Sequence, residues 1–218
     1  MSALEMQRNH LGEHHADTLH TIFNLAGACK RLGQFTQAEA LELEVLEKRR
    51  HLLGEDSPDT LKAMSCLAKT YLHLGRSEEA QTLLVSVLDR QRKVLGEDHV
   101  DTLRTMGDLA RTYHALGQLH KAEALEVLVL EKRRELLGED HPDTPLAMGN
   151  LAVTYSALGQ FPQAEELEAG ALEKYRKLLG EDHPSTIWIM RNLALTYWSL
   201  DKVPEAEELE RLVAYHEL

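Results

Sequence analysis

Apolar residues recur along this chain at steps of three and four, and glycine interrupts the pattern at fixed intervals. Leu103, Met106, Leu109, Ala110, Tyr113 and Leu116 fall on one helical face, and Ala122, Leu125, Val129, Leu130 and Leu137 on another. Gly117 closes the first stretch and Gly138 the second, where a residue without a side chain takes the left-handed turn that ends a helix. Arg133 and Arg134 occupy the last turn before Gly138, which suits the negative end of the helix dipole. No run of β-branched residues alternates as a strand would. The pattern predicts an all-α chain.

The unit recurs. Gly12, Gly54, Gly96, Gly138 and Gly180 are each 42 residues apart, and Gly33, Gly75, Gly117 and Gly159 keep the same spacing. In the last copy Asp201 replaces that second glycine. The phrase LGEDHPDT at 137–144 has near-copies starting at 11, 53, 95 and 179. Its histidine and acids invite a metal or catalytic reading, but one copy has Ser57 for the histidine and another Val100 for the proline, so no ligand set is maintained. The phrase reads instead as a helix start. Asp140 is placed to cap, Pro142 suits the first turn, and Asp143 brings negative charge to the positive end. His99, His141 and His183 are expected to be bystanders in it.

Composition narrows the classes. The 218 residues are 43% hydrophobic and 28% charged, a globular balance, with no apolar run long enough for a membrane span and no secretion signal at the start. Cys29 and Cys66 have no metal-like or redox-like spacing, which fits a reducing compartment and a cytoplasmic location. A net charge of -12 argues against nucleic acid as the partner.

Leu67-Ala68, Tyr71, Leu74-Gly75 and Ala80 recur as Leu109-Ala110, Tyr113, Leu116-Gly117 and Ala122, and as Leu151-Ala152, Tyr155, Leu158-Gly159 and Ala164. This signature resembles the tetratricopeptide repeat. With the 42-residue period, NLAxTY and LGEDHPDT, it is similar to the longer-helix branch of kinesin light chains and of the arrays in fungal and bacterial receptor-like ATPases. The resemblance implies a right-handed α/α superhelix (solenoid) of about five tandem helix-turn-helix repeats. A single array over 1–218 is expected, with repeats beginning near 13, 55, 97, 139 and 181, and with 1–12 ending a preceding repeat. One departure stands out. The family often has a large aromatic four residues after the second-helix alanine, and here that place holds Glu42, Leu84, Glu126, Glu168 and Glu210. Second-helix packing should therefore differ. Neither end shows a polar capping helix, so the chain reads as a fragment of a longer array or as one that self-associates through open ends.

In the family the first helix of each repeat lines a concave groove. The resemblance, carried over position by position, assigns to that groove His20, Asn24, Lys30, Arg31, Lys62, Lys69, His73, Arg104, Arg111, His114, Asn150, Trp188, Arg191, Asn192 and Trp198. The asparagines match the place that the family uses to bind peptide backbone. The groove positions are basic in copies one to three and apolar or aromatic in copies four and five, while Glu39, Glu42, Glu44, Glu165, Glu166 and Glu168 are expected on the convex side. Asp108 should partly neutralise Arg104 and Arg111 through helix-face pairing. A basic cleft attracts anions, and tryptophan supplies an apolar anchor. The function expected is a protein–protein interaction scaffold that binds an extended acidic or aromatic peptide segment. The kinesin light chain resemblance implies the same ligand chemistry.

The alternative is a noncanonical enzyme or a binder acting on a small molecule in the groove, with His73, His114, Cys66 and Asp108 as the residues in reach of one another. It trails, because no nucleophile elbow, phosphate loop or dinucleotide motif is present. No catalytic residue, metal or cofactor is expected.

Overall fold

The structure, a computed structural model, describes residues 3–216. Among the described residues there are helices and turns but no strand. They divide into two compact units, one running to Leu116 and the other starting at Gly117. The first unit holds α1 (Ala3–Leu11), α2 (Ala16–Arg31), α3 (Phe35–Leu53), α4 (Pro58–His73), α5 (Ser77–Val94) and α6 (Val100–Ala115). The second holds α7 (Leu119–Leu137), α8 (Asp143–Ala157), α9 (Phe161–Leu179), α10 (Pro184–Ser199) and α11 (Val203–His216). Within each unit every helix packs on the next in sequence, and first helices of neighbouring repeats also touch, α4 on α6 and α8 on α10.

The repeat signature explains this packing. Ala26 and Ala38, Ala68 and Ala80, and Ala152 and Ala164 are fully buried within their helix pairs, and such small residues allow two helices to approach closely. Ile22, Leu61, Met64, Leu67 and Leu84 fill the space between pairs in the first unit, and Ile189 and Met190 do so in the second. Each is worth about 1.5–3 kcal/mol on burial. The periodicity holds for Leu103, Met106, Leu109 and Ala110, which are buried. It fails for Leu137, which is exposed, while Glu126 turns inward beside Val129 and Leu130.

The LGEDHPDT turn does start helices, but with different atoms from those expected. Gly138 has φ 86 and ψ 169, an extended conformation essentially reserved to glycine rather than the left-handed helical one. Nδ1 of His15, His99, His141 and His183 accepts from the backbone N–H two residues on, at 3.1–3.2 Å. The histidine is the cap, and Asp140 instead faces Lys174 at 3.8 Å. The threonine of the phrase closes the turn: Thr18, Thr102, Thr144 and Thr186 donate to the carbonyls of Gly12, Gly96, Gly138 and Gly180 at 2.7–2.9 Å. In copy two Ser57 makes no capping bond, and the buried Thr60 hydroxyl has no partner. There the turn has lost both bonds.

Candidate functional site

The first helices α2, α4 and α6 of the first unit present the basic residues. Arg31 and Lys62 are exposed and meet no carboxylate among the described residues, although the Lys62 ammonium lies 6.0 Å from the Phe23 ring. The other cations are compensated. Lys69 and Arg111 both pair with the buried Asp108, at 2.8 and 3.1 Å, so the Lys69 pair ties α4 to α6. Arg104 turns away from Asp108 to Asp101, at 2.6 Å, because that carboxylate lies three residues back on an exposed face. His20 and Asn24 are exposed on α2. His73 stacks on Phe35 with ring centroids 4.5 Å apart, and His114 is half-buried with Nε2 unpartnered. Burial pushes the Cys66 thiol up. Among the described residues no three or more of His, Cys, Asp and Glu gather as they would around a metal ion, so His73, His114, Cys66 and Asp108 do not form such a cluster.

Glu42 corrects the expected separation of charge. It was expected on the convex side with the other second-helix acids, yet it is 1% exposed and points toward the first helices. The Lys30 ammonium donates to Oε1 at 2.6 Å, and the Thr70 hydroxyl of the next repeat donates to Oε2 at 2.6 Å. A carboxylate this deeply buried needs such partners, since an unpaired buried charge costs several kcal/mol. The polar residue stands where the family has an aromatic, and the lysine and threonine supply what the ring would not need.

In the second unit the same place is filled without a cation. Glu126 and Glu168 are buried at 5% and 1% exposure, and Oε2 of each lacks a hydrogen-bond partner. Desolvation raises both carboxyls to about 7, offset only in part by the Thr154 and Thr196 hydroxyls. Glu168 therefore does not lie on a convex surface either. Beside it is a 150 Å³ pocket lined by Val153, Ser156, Asn192, Leu195 and Thr196 among others. Asn192 Nδ2 is buried and unpartnered there, and Asn150 is half-buried on α8.

The aromatic residues of this unit behave differently from one another. Trp188 is half-buried, with its ring against Gly149 so tightly that an added Cβ would lie 2.5 Å from Cζ3. It is largely a packing residue between α8 and α10. Trp198 is 39% exposed and its indole N–H donates to Glu210 at 2.9 Å. Leu195 is 65% exposed and Leu146 39%, so the α8–α10 face carries apolar surface; Arg191 is exposed on α10. Sequence reasoning missed the inward acids. The signal was present in the departure at the aromatic position, paired with a threonine 28 residues on at Thr70, Thr154 and Thr196.

Helix pairs of near-constant length, packed one on the next within each unit through a shared alanine signature, define an α/α tandem-repeat protein. Tetratricopeptide repeat profiles match residues 59–131 and 169–213, and a second profile of that description matches 18–59 and 146–185. The chain belongs to the tetratricopeptide repeat family, and its repeats are of the kinesin light chain-like type. The nearly identical repeats of a Podosopora anserina protein assigned as a kinesin light chain are 30% identical, with a TM-score of 0.77, over 93% of this chain and 96% of that one. BtubC (BKLC) from P. vanneervenii is similar in fold, at 21% identity and TM-score 0.80, over 100% and 92% of the two chains. A Rap protein complexed with competence and sporulation factor shares the fold at 16% identity and TM-score 0.76, over 98% of this chain and 59% of that one. No curated protein matches the chain. The tetratricopeptide fold is that of a protein–protein interaction scaffold, and no described helix is long and apolar enough to cross a membrane.

Proposed function

We propose that the chain is a cytoplasmic scaffold whose first-helix faces bind extended peptide segments of another protein, acidic at the first unit and bulky or aromatic at the second. The observation that carries this reading is the pair of exposed, uncompensated cations Arg31 and Lys62 on α2 and α4. Lys30 and Lys69 add charge to the same two helices, and Arg104 and Arg111 to α6, but three carboxylates (Glu42, Asp101 and Asp108) offset them. A residual positive face steers anionic ligands and holds them through charge-assisted hydrogen bonds. Leu146, Leu195 and Trp198 offer the second unit's apolar surface to a large side chain. The Rap protein complexed with a factor is a fold neighbour that lends support to a peptide as the kind of ligand.

The test is a fluorescence titration with acidic peptides containing one tryptophan, at low and high salt. Binding should weaken as salt screens the charges, and Arg31→Glu combined with Lys62→Glu should weaken it about tenfold or more. Affinity that ignores both changes would remove the basic face from the reading.

A further inference from the structure

We propose that the pocket beside Glu168 binds a primary ammonium group, that of a lysine side chain in a peptide partner. The proposed site is formed by residues of the second unit alone, and the inference does not rest on the basic face of the first.

The chain contains its own precedents. In copy one, the residue twelve before the buried glutamate is Lys30, and its ammonium donates to Glu42 at 2.6 Å. In copy five the corresponding pair is Trp198 and Glu210, joined by an indole N–H at 2.9 Å. In copies one and five, then, a donor at this first-helix position reaches the second-helix carboxylate. In copy four the corresponding residue is Ser156, which is too short. Its hydroxyl lies 3.3 Å from Thr196 instead, and Glu168 Oε2 is left without a partner at 1% exposure. The volume that a lysine side chain would fill is open as the 150 Å³ pocket, about five waters' share of liquid volume.

The ligand chemistry follows from the two unpartnered atoms. A buried carboxyl with an unsatisfied oxygen calls for a donor, and a cationic donor gives the strongest bond. Desolvation raises this carboxyl to about 7, with only the Thr196 hydroxyl opposing it, and an ammonium would supply the counter-charge that favours the ionised form. Asn192 Nδ2, lining the same pocket, calls for an acceptor. A peptide lysine offers both, an ammonium on its side chain and carbonyls on its backbone, whereas a free amine offers only the first. Leu195 and Val153 line the pocket as well and suit the methylene stem of such a side chain.

The experiment uses the full chain and two probes, n-butylammonium chloride and a blocked glycine-flanked peptide with a single lysine. Both are titrated while the Asn192 side-chain amide is followed by NMR. The lysine peptide should bind more tightly than butylammonium, and its acetyl-lysine counterpart should not bind. Glu168→Gln should weaken both probes about tenfold or more. Ser156→Lys should abolish both, because its own ammonium fills the pocket as Lys30 does in copy one. It should also raise the melting temperature in the parent chain but not in the Glu168→Gln background. Equal binding by parent and Glu168→Gln, an acetyl-lysine peptide that binds as well as the free lysine, or no binding by the parent chain would each overturn the proposal. Butylammonium binding at least as tightly as the peptide would overturn its assignment to a peptide lysine in favour of a small amine.

Discussion

The two units carry the same carboxyl at the same place in the repeat and treat it in opposite ways. In the first, Glu42 is held by Lys30 and Thr70 and is a closed ion pair. In the second, Glu126 and Glu168 each keep an unpartnered oxygen, and desolvation pushes them toward neutrality with only a threonine hydroxyl opposing it. The scaffold is common to both, so the difference teaches that one first-helix residue decides whether the position is a structural pair or an unsatisfied polar group. Burial sets the demand, and the local sequence decides what meets it.

The largest expected effect comes from erasing the difference on the first side. Lys30→Met strands the Glu42 carboxylate and should lower stability by about 4 kcal/mol at neutral pH, read by urea denaturation. Unchanged stability would mean that the pair is as dispensable as a surface bridge. A smaller effect is expected on the second side as a function of pH. An unfolded glutamate has the ordinary value of 4.5, and the folded value is about 7. Between those limits the folded chain binds protons that the unfolded chain has released, so stability falls as pH rises through the window. Glu168→Gln should remove about 3 kcal/mol of that fall, measured as the difference in unfolding free energy between pH 4.5 and 8.

Two further changes compare the repeats with one another. Ser57→His should supply copy two with the cap that His15, His99, His141 and His183 give the others, adding about 1 kcal/mol. Thr60 should gain its bond to the Gly54 carbonyl at the same time, visible as slowed amide exchange in the turn. Asp201 holds φ 58 where the other copies have glycine, and Asp201→Gly should give roughly 0.5 kcal/mol, seen as a small rise in melting temperature.

The helix pairs, their lengths and the glycine punctuation were legible in the sequence, because a 42-residue period and a three-to-four spacing admit one reading. The buried acids were not. A glutamate on a helix defaults to a solvated face, but in copies one to four this place faces inward whatever residue fills it, as the fully buried Leu84 shows. The threonine beside it comes from the next repeat, outside any local window. The cap went astray for a related reason. Asp140 has the better intrinsic tendency to cap, but the turn presents the imidazole to the helix end and sends the carboxylate to Lys174. Arg104 was paired with the wrong acid because Asp101 and Asp108 are both within one helical turn of it, and side-chain direction chooses between them.

Gly149 has a consequence for how the second unit could evolve. The Trp188 ring occupies the room that any side chain at 149 would need, and Ile189 Cδ1 stands 3.1 Å from the same point. Even alanine would have to drive the indole outward or pry α8 from α10. The two positions are therefore a lock and its key: neither residue is free to drift unless the other moves first, and a smaller residue at 188 is the one step that opens 149 to change.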